Sequence, residues 1–326
     1  MIRRLTFFDE PLRRSGVSRM GGGHMVTIFA LRKACLALVL LFGASILRAG
    51  HRGVNVSIDD GREPERCDQI SIEIDGRPAE RAEERITIPD EAGKPLRVRA
   101  PEHSGIRVRG ASGPDFGVVV CKAATSKADL SRISLSRAGA TLTVEGPSGG
   151  DWVGYLLIEA PRDAAIDLTA INGPIGLFGL SGHVTARSEN GPISVRDSPG
   201  DIDAEAQNGP IHFRGNGGRL RLHTENGPIG VALSGASWSG SGLEAKAING
   251  PVRLAIPPGY RSGAVVESLG RSPFRCRGEA CGSARRTWDD DHKRLELGEG
   301  PAIVRLSAEN GPVSIESGED REGEDD

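Results

Sequence analysis

One short pattern constrains this chain more than any bulk property. Asn-Gly-Pro followed by Ile or Val occurs six times, with the asparagines at Asn172, Asn190, Asn208, Asn226, Asn249 and Asn310. The first four are spaced by 18 residues, and the next gaps are 23 and 61. A fixed period of this length marks an array in which each repeat is one small supersecondary unit. The two longer gaps read as insertions into the same unit.

Aligned on the asparagine, the repeats resolve into columns. Six residues before it stand Ile166, Val184, Ile202, Leu220, Leu243 and Val304. Two before it stand Ala170, Ser188, Ala206, Thr224, Ala247 and Ala308, and three after it Ile175, Ile193, Ile211, Ile229, Val252 and Val313. The positions between are mostly polar, such as Thr185, Asp203, Arg221, Glu244 and Arg305. That alternation is the mark of a strand with one buried face.

Each repeat therefore holds two short strands separated by Asn-Gly, residues that tolerate positive φ and permit a sharp corner. The Pro, lacking an N–H, suits the first residue of a strand. A second turn signal recurs at Gly182, Gly200 and Gly218. These features predict an all-β chain whose repeats form a parallel β-solenoid of 18-residue rungs. Asn-Gly is also a hairpin signal, so a hairpin meander or sandwich is the competing reading. A rung buries a handful of apolar side chains worth roughly 1.5–3 kcal/mol each. Ordering its backbone costs on the order of 1–2 kcal/mol per residue. One rung cannot fold alone; neighbours must cover it. The six asparagines are expected to stack as an amide ladder along the corner, a structural role and not a ligand site.

The regions around the repeats divide the chain further. Residues 34–47 read ACLALVLLFGASIL after Arg32 and Lys33, and Ala49 offers a small residue at a cleavage point. Residues 1–49 are read as a secretory signal peptide with an upstream extension, an uncleaved anchor being the alternative. Residues 50–160 hold strand-length apolar pieces without the repeat mark and are expected to form an irregular β-rich segment or cap. Residues 161–317 are the repeats, with an insertion at 257–300, and residues 318–326 an acidic, disordered tail. Beyond the signal, Cys67, Cys121, Cys276 and Cys281 make an even count, expected as disulfides 67–121 and 276–281. A zinc site is the rival reading of these four.

The rungs resemble those of the bacterial putative-adhesin repeat domains, a family of exported proteins. The resemblance spans about Pro161 to Ser317 and rests on Gly-x-Ile/Val-x-Ala strands followed by Asn-Gly-Pro-Ile, as in Gly200 to Ala204 and Asn208 to Ile211. It implies a β-solenoid at the cell envelope, brings no known chemistry and supplies no functional residues.

The residues themselves offer little chemistry. No Gly-x-Ser-x-Gly nucleophile motif or phosphate loop is present. His183, His212 and His223 fall in different columns and read as surface histidines. Asp289, Asp290 and Asp291 lack the ligand spacing of a calcium loop and read as a solvated turn. Asp167, Asp203 and Glu244 share an outward column but mix with Arg221 and Arg305, so they read as a solvated charged face. With 41 basic against 44 acidic residues, there is no electrostatic case for nucleic acid. The sequence thus predicts an exported, non-enzymatic protein of the periplasm, cell surface or medium, adhesin-like or scaffolding. Its partner is expected to be a glycan or protein, with no cofactor, no metal and no membrane span after signal cleavage. The alternative is a polysaccharide-active β-helix enzyme, lyase or hydrolase.

Overall fold

The structure, a computed structural model, describes residues 53–58, 64–91, 93–148 and 151–318. The expected signal segment, and the tail from Glu319 onward, lie outside the described residues. What is described is all-β apart from three single-turn helical segments, and it is arranged as sheets of three, 11 and 12 strands.

The repeats build the two large sheets. The strand before each asparagine enters the 12-stranded sheet, here called the leading sheet. The strand after each proline enters the 11-stranded one, the trailing sheet. Ile166 pairs with Val184, Val184 with Ile202 and Ile202 with Leu220, all in parallel register. In the trailing sheet Ile175 pairs with Ile193, Ile193 with Ile211 and Ile211 with Ile229, again parallel. Because these partners are equivalent residues of successive repeats, Asn-Gly does not close a hairpin here. Both files of Ile and Leu face one shared core, where Ile175, Ile193, Ile211, Val184 and Leu220 are all buried.

The corner glycines owe their identity to close stacking. None of the six glycines following the asparagines, nor any of those asparagines, has a positive φ. The expectation of a left-handed turn is therefore corrected. A Cβ at Gly209 would stand 2.3 Å from the Gly191 carbonyl oxygen, and one at Gly250 would stand 2.0 Å from that of Gly227. Successive backbones approach too closely for any side chain. The prolines fit the same corner. The Pro192 carbonyl accepts from the Ile175 N–H at 2.9 Å and the Pro210 carbonyl from the Ile193 N–H at 2.9 Å. A residue without an N–H thus leaves no donor unused.

Both ends depart from the regular count. Upstream, Leu96–Arg99 and Ile106–Ala111 continue the two files, with Leu96 beside Ile166 and Ile106 beside Ile175. Trp152–Pro161, Asp115–Ala124 and Glu80–Pro89 then extend the trailing sheet. A three-stranded sheet of Val54–Ile58, Ile70–Ile74 and Arg77–Pro78 supplies Ile70, Ile72 and Ile74 to a second core with Cys121, Val153, Tyr155 and Leu157. Cys67 and Cys121 form a disulfide within that core.

Downstream, the residues between Asn249 and Asn310 do more than interrupt a rung. Ser262–Leu269 and Phe274–Gly278 take the places one step farther out in the leading and trailing sheets. The chain then returns, and Glu299–Ala308 and Val313–Ser317 fill the positions left between. Pro273 there does the work of a repeat proline, its carbonyl accepting from the Val313 N–H at 2.9 Å. Cys276 and Cys281 close the second disulfide beside this outer strand.

Candidate functional site

The asparagines meet along one corner. Asn190 Nδ2 donates to Asn172 Oδ1 at 2.9 Å, Asn208 to Asn190 at 3.0 Å and Asn226 to Asn208 at 3.0 Å. Asn249 donates to Asn226 at 3.0 Å, and Asn310 to Asn249 at 3.1 Å. The last bond joins residues 61 apart in sequence. Each interior amide both donates and accepts along this row, which is how amide dipoles reinforce one another.

The carboxylates singled out in the sequence stand on the outside of the leading sheet. Asp167, Thr185, Asp203, Arg221, Glu244 and Arg305 follow one another across it. No two of the acids are register neighbours, and Arg221 separates Asp203 from Glu244. In the adjacent file Arg187 lies 3.9 Å from Asp167 and 3.6 Å from Glu205. This is an alternating charged surface. His183 lies 3.3 Å from Asp201, and His223 pairs in register with Glu205 and Lys246. Asp289 Oδ1 accepts from the Asp291 and His292 N–H groups, which makes the aspartate run a turn.

The outer face of the trailing sheet is different, and sequence reasoning passed over it. One file runs Arg107, Gly176, Ser194, His212, Gly230, Arg253, Ser314 and Arg275. The next runs Arg109, Phe178, Arg196, Arg214, Ala232, Ala255, Glu316 and Arg277. Where Gly230, Ala232 and Ala255 offer little or no side chain, the face sinks into a cavity of about 650 Å³. Arg196, His212 and Arg214 stand on one side of it, and Arg253, Arg275 and Arg277 on the other. Glu316 is the single acid among the lining residues. Among the described residues, no carboxylate lies within 4.0 Å of the guanidinium groups of Arg253, Arg275 or Arg277.

Electrostatics inside the groove follow from that composition. Desolvation in the groove, reinforced by Arg196 and Arg253, holds the His212 imidazole below its ordinary pKa. Upstream of the groove Phe178 stands in the same file as Arg196, with the Arg107 guanidinium 5.2 Å and the Arg196 guanidinium 6.0 Å from its ring centre. Beyond it, Arg107 and Arg109 both approach Glu65. The signal that would have found the groove is the column six residues after each asparagine, where Arg196 and Arg214 fall. The far bank was hidden, because Arg275 and Arg277 sit on a strand introduced by Ser272-Pro273 without Asn-Gly.

No protein-family model matches the chain, and no curated protein matches it in sequence. Solved structures do. A putative cell adhesion protein from Clostridium sporogenes is 9% identical, with 73% of this chain and 100% of that one covered at a TM-score of 0.29. A putative adhesin from Bacteroides fragilis is 13% identical, with 73% and 97% covered at 0.23. A putative lipid binding protein from Parabacteroides distasonis is 9% identical, with 73% and 96% covered at 0.30. Likeness at this level transfers neither ligand nor activity to this chain. No helix among the described residues is long and apolar enough to cross a membrane.

Proposed function

We propose that this protein is an exported, non-enzymatic binding or scaffolding module of the bacterial envelope, built as a two-sheet β-solenoid of 18-residue rungs. The coil runs over residues 161–317, residues 50–160 begin it and cap it, and the asparagine row pins its corner. The two disulfides support a life outside the reducing cytosol. The rungs act as a rigid ruler, and the trailing sheet presents the ligand face.

The observation that carries this reading is the groove itself. It gathers five arginines and a histidine against one acid, on strands and not on loops. Such a surface attracts and positions an anion. Hydrolysis of a glycosidic bond calls instead for two facing carboxyl groups, and the outward acids alternate with basic or neutral neighbours.

Purified protein tested against a panel of acidic and neutral polysaccharides and glycoproteins separates binding from turnover. Retention of at least one acidic class with no release of new reducing ends or unsaturated products is expected. Catalytic depolymerisation of any panel member would contradict the reading.

A further inference from the structure

The groove on the trailing sheet also carries information about its ligand, and the inference that follows rests on the binding-module reading above. We infer that this groove takes an acidic polysaccharide, a carboxylate- or sulfate-bearing glycan chain lying across the strands between its two arginine banks.

The strands bearing Arg214 and Arg253 are separated by the single strand Ile229–Leu233. Strands stack at ~4.8 Å, so Arg253 stands about 10 Å from the strand of Arg214, and Arg275 and Arg277, four strands away, about 19 Å. A ligand that satisfies both banks must carry negative charge at two separated points. A lone phosphate or carboxylate would engage one bank and leave the other exposed. A glycan bearing an acid on every sugar, or on alternate sugars, presents charge at such intervals along a stiff chain.

Beside Arg214 and Arg253 the floor is Gly230, Ala232 and Ala255, small residues without polar side-chain groups, and Ser314 and Glu316 stand between these and Arg275 and Arg277. A pyranose ring has C–H faces that suit a low apolar floor, while its acidic groups reach sideways to guanidinium forks. Those forks match carboxylate and sulfate geometry.

Among the residues lining the groove, no phenyl, phenol or indole ring is exposed. Proteins that hold single-stranded nucleic acid offer exposed aromatic rings for the bases. The aromatic side chain lining this groove is Phe213, which is buried under it at 2% exposure. A duplex demands a broad basic surface, and this chain has a net charge of -3. The arginines are confined to a trough, which fits a narrow linear chain.

His212 extends the site to pH. It stands beside Arg196, Arg214 and Arg253, and in register with Ser194 and Gly230. An anion seated over these groups relieves their mutual repulsion, so glycan binding should tighten as the medium becomes mildly acidic.

The test uses the full chain and isothermal titration with an oligogalacturonate as probe. A neutral malto-oligosaccharide of equal length and an oligo-dT strand serve as comparators. Binding of the oligogalacturonate, weakening with added salt, is expected. The double variant Arg253→Ser/Arg277→Ser should lose at least about tenfold in affinity, since two charge-assisted contacts together contribute at least the ~1.4 kcal/mol of one decade. Arg187→Ser, on the other sheet, should change it less than about twofold and controls for non-specific charge effects. Circular dichroism of each variant confirms that the sheets persist. Three results would overturn the inference: no binding of the acidic oligomer, equal binding of the neutral one, or tighter binding of oligo-dT. So would acidic-glycan binding that ignores the arginine variants, although the binding-module reading would then stand. Turnover of the probe would instead bring down that reading.

Discussion

The trailing sheet has two halves that differ in what covers them, and the difference is written in their sequences. Its upstream strand Trp152–Pro161 reads WVGYLLIEAP, an almost unbroken apolar run. Leu156 and Ile158 face the main core, while Tyr155 and Leu157 face the second core beneath the three-stranded sheet. Its repeat strands read ISVR, IHFRG and VRLAI, apolar and polar by turns. Their apolar half faces the core, and their polar half is the arginine-lined groove. A strand buried on both faces loses its alternation, and one left open on a single face keeps it. The open half is where a ligand can reach.

Charge placed at outward positions should break this comparison most sharply. Val153→Asp buries a carboxylate in the second core and should cost more than about 4 kcal/mol, or abolish folding. Ser194→Asp, at an outward position of the open half, should change stability by less than about 0.5 kcal/mol. Urea denaturation of the two variants measures the contrast; similar costs would mean that both halves are equally covered.

The disulfides sharpen it next. Cys67 and Cys121 are separated by 54 residues and join the covered region, whereas Cys276 and Cys281 are separated by 5. Loop-closure entropy assigns about 4 kcal/mol to the first and about 2 kcal/mol to the second. Serine pairs at each site, compared by denaturant midpoint, should keep that order.

A smaller effect is expected at the asparagine corner. Asn208→Ala removes two amide hydrogen bonds and Asn172→Ala one, at about 0.5–1 kcal/mol apiece for exposed groups. Thermal melts should rank Asn208→Ala below Asn172→Ala, and unchanged melting in both would remove the ladder's structural role.

The smallest effect concerns His212, whose native pKa lies below its ordinary 6.5. The unfolded chain then binds the proton more readily, so this group's stabilisation is present above that value and is lost as pH falls through the lowered native value. Replacing it by Gln should flatten the stability profile in the acidic range. A steeper profile would assign the wrong sign to its surroundings.

Much of this was legible in the sequence. The files of Ile175, Ile193 and Ile211 follow from alignment on the asparagine, and the pairs of Cys67 with Cys121 and Cys276 with Cys281 are those that sequence order suggests. Three things were not. Close backbone approach, which explains Gly209 and Gly250, depends on the distance between successive repeats, while sequence supports only the general permissiveness of glycine. The return of Glu299–Ala308 between earlier strands is a matter of chain threading, and side-chain patterns are blind to that. The groove combines side chains from strands with and without the repeat mark, so no single repeat shows it. Arg196 and Arg214 look like ordinary exposed arginines until Arg275 and Arg277 are placed across from them.

Equivalent residues of successive repeats lie side by side on adjacent parallel strands. Thr185 and Asp203, which pair in register on the outside of the leading sheet, test it most directly. Nitroxide labels at Thr185→Cys and Asp203→Cys should give strong dipolar broadening in a continuous-wave electron paramagnetic resonance spectrum. A double-labelled spectrum identical to the sum of the two single-labelled ones would contradict this side-by-side placement of the repeats.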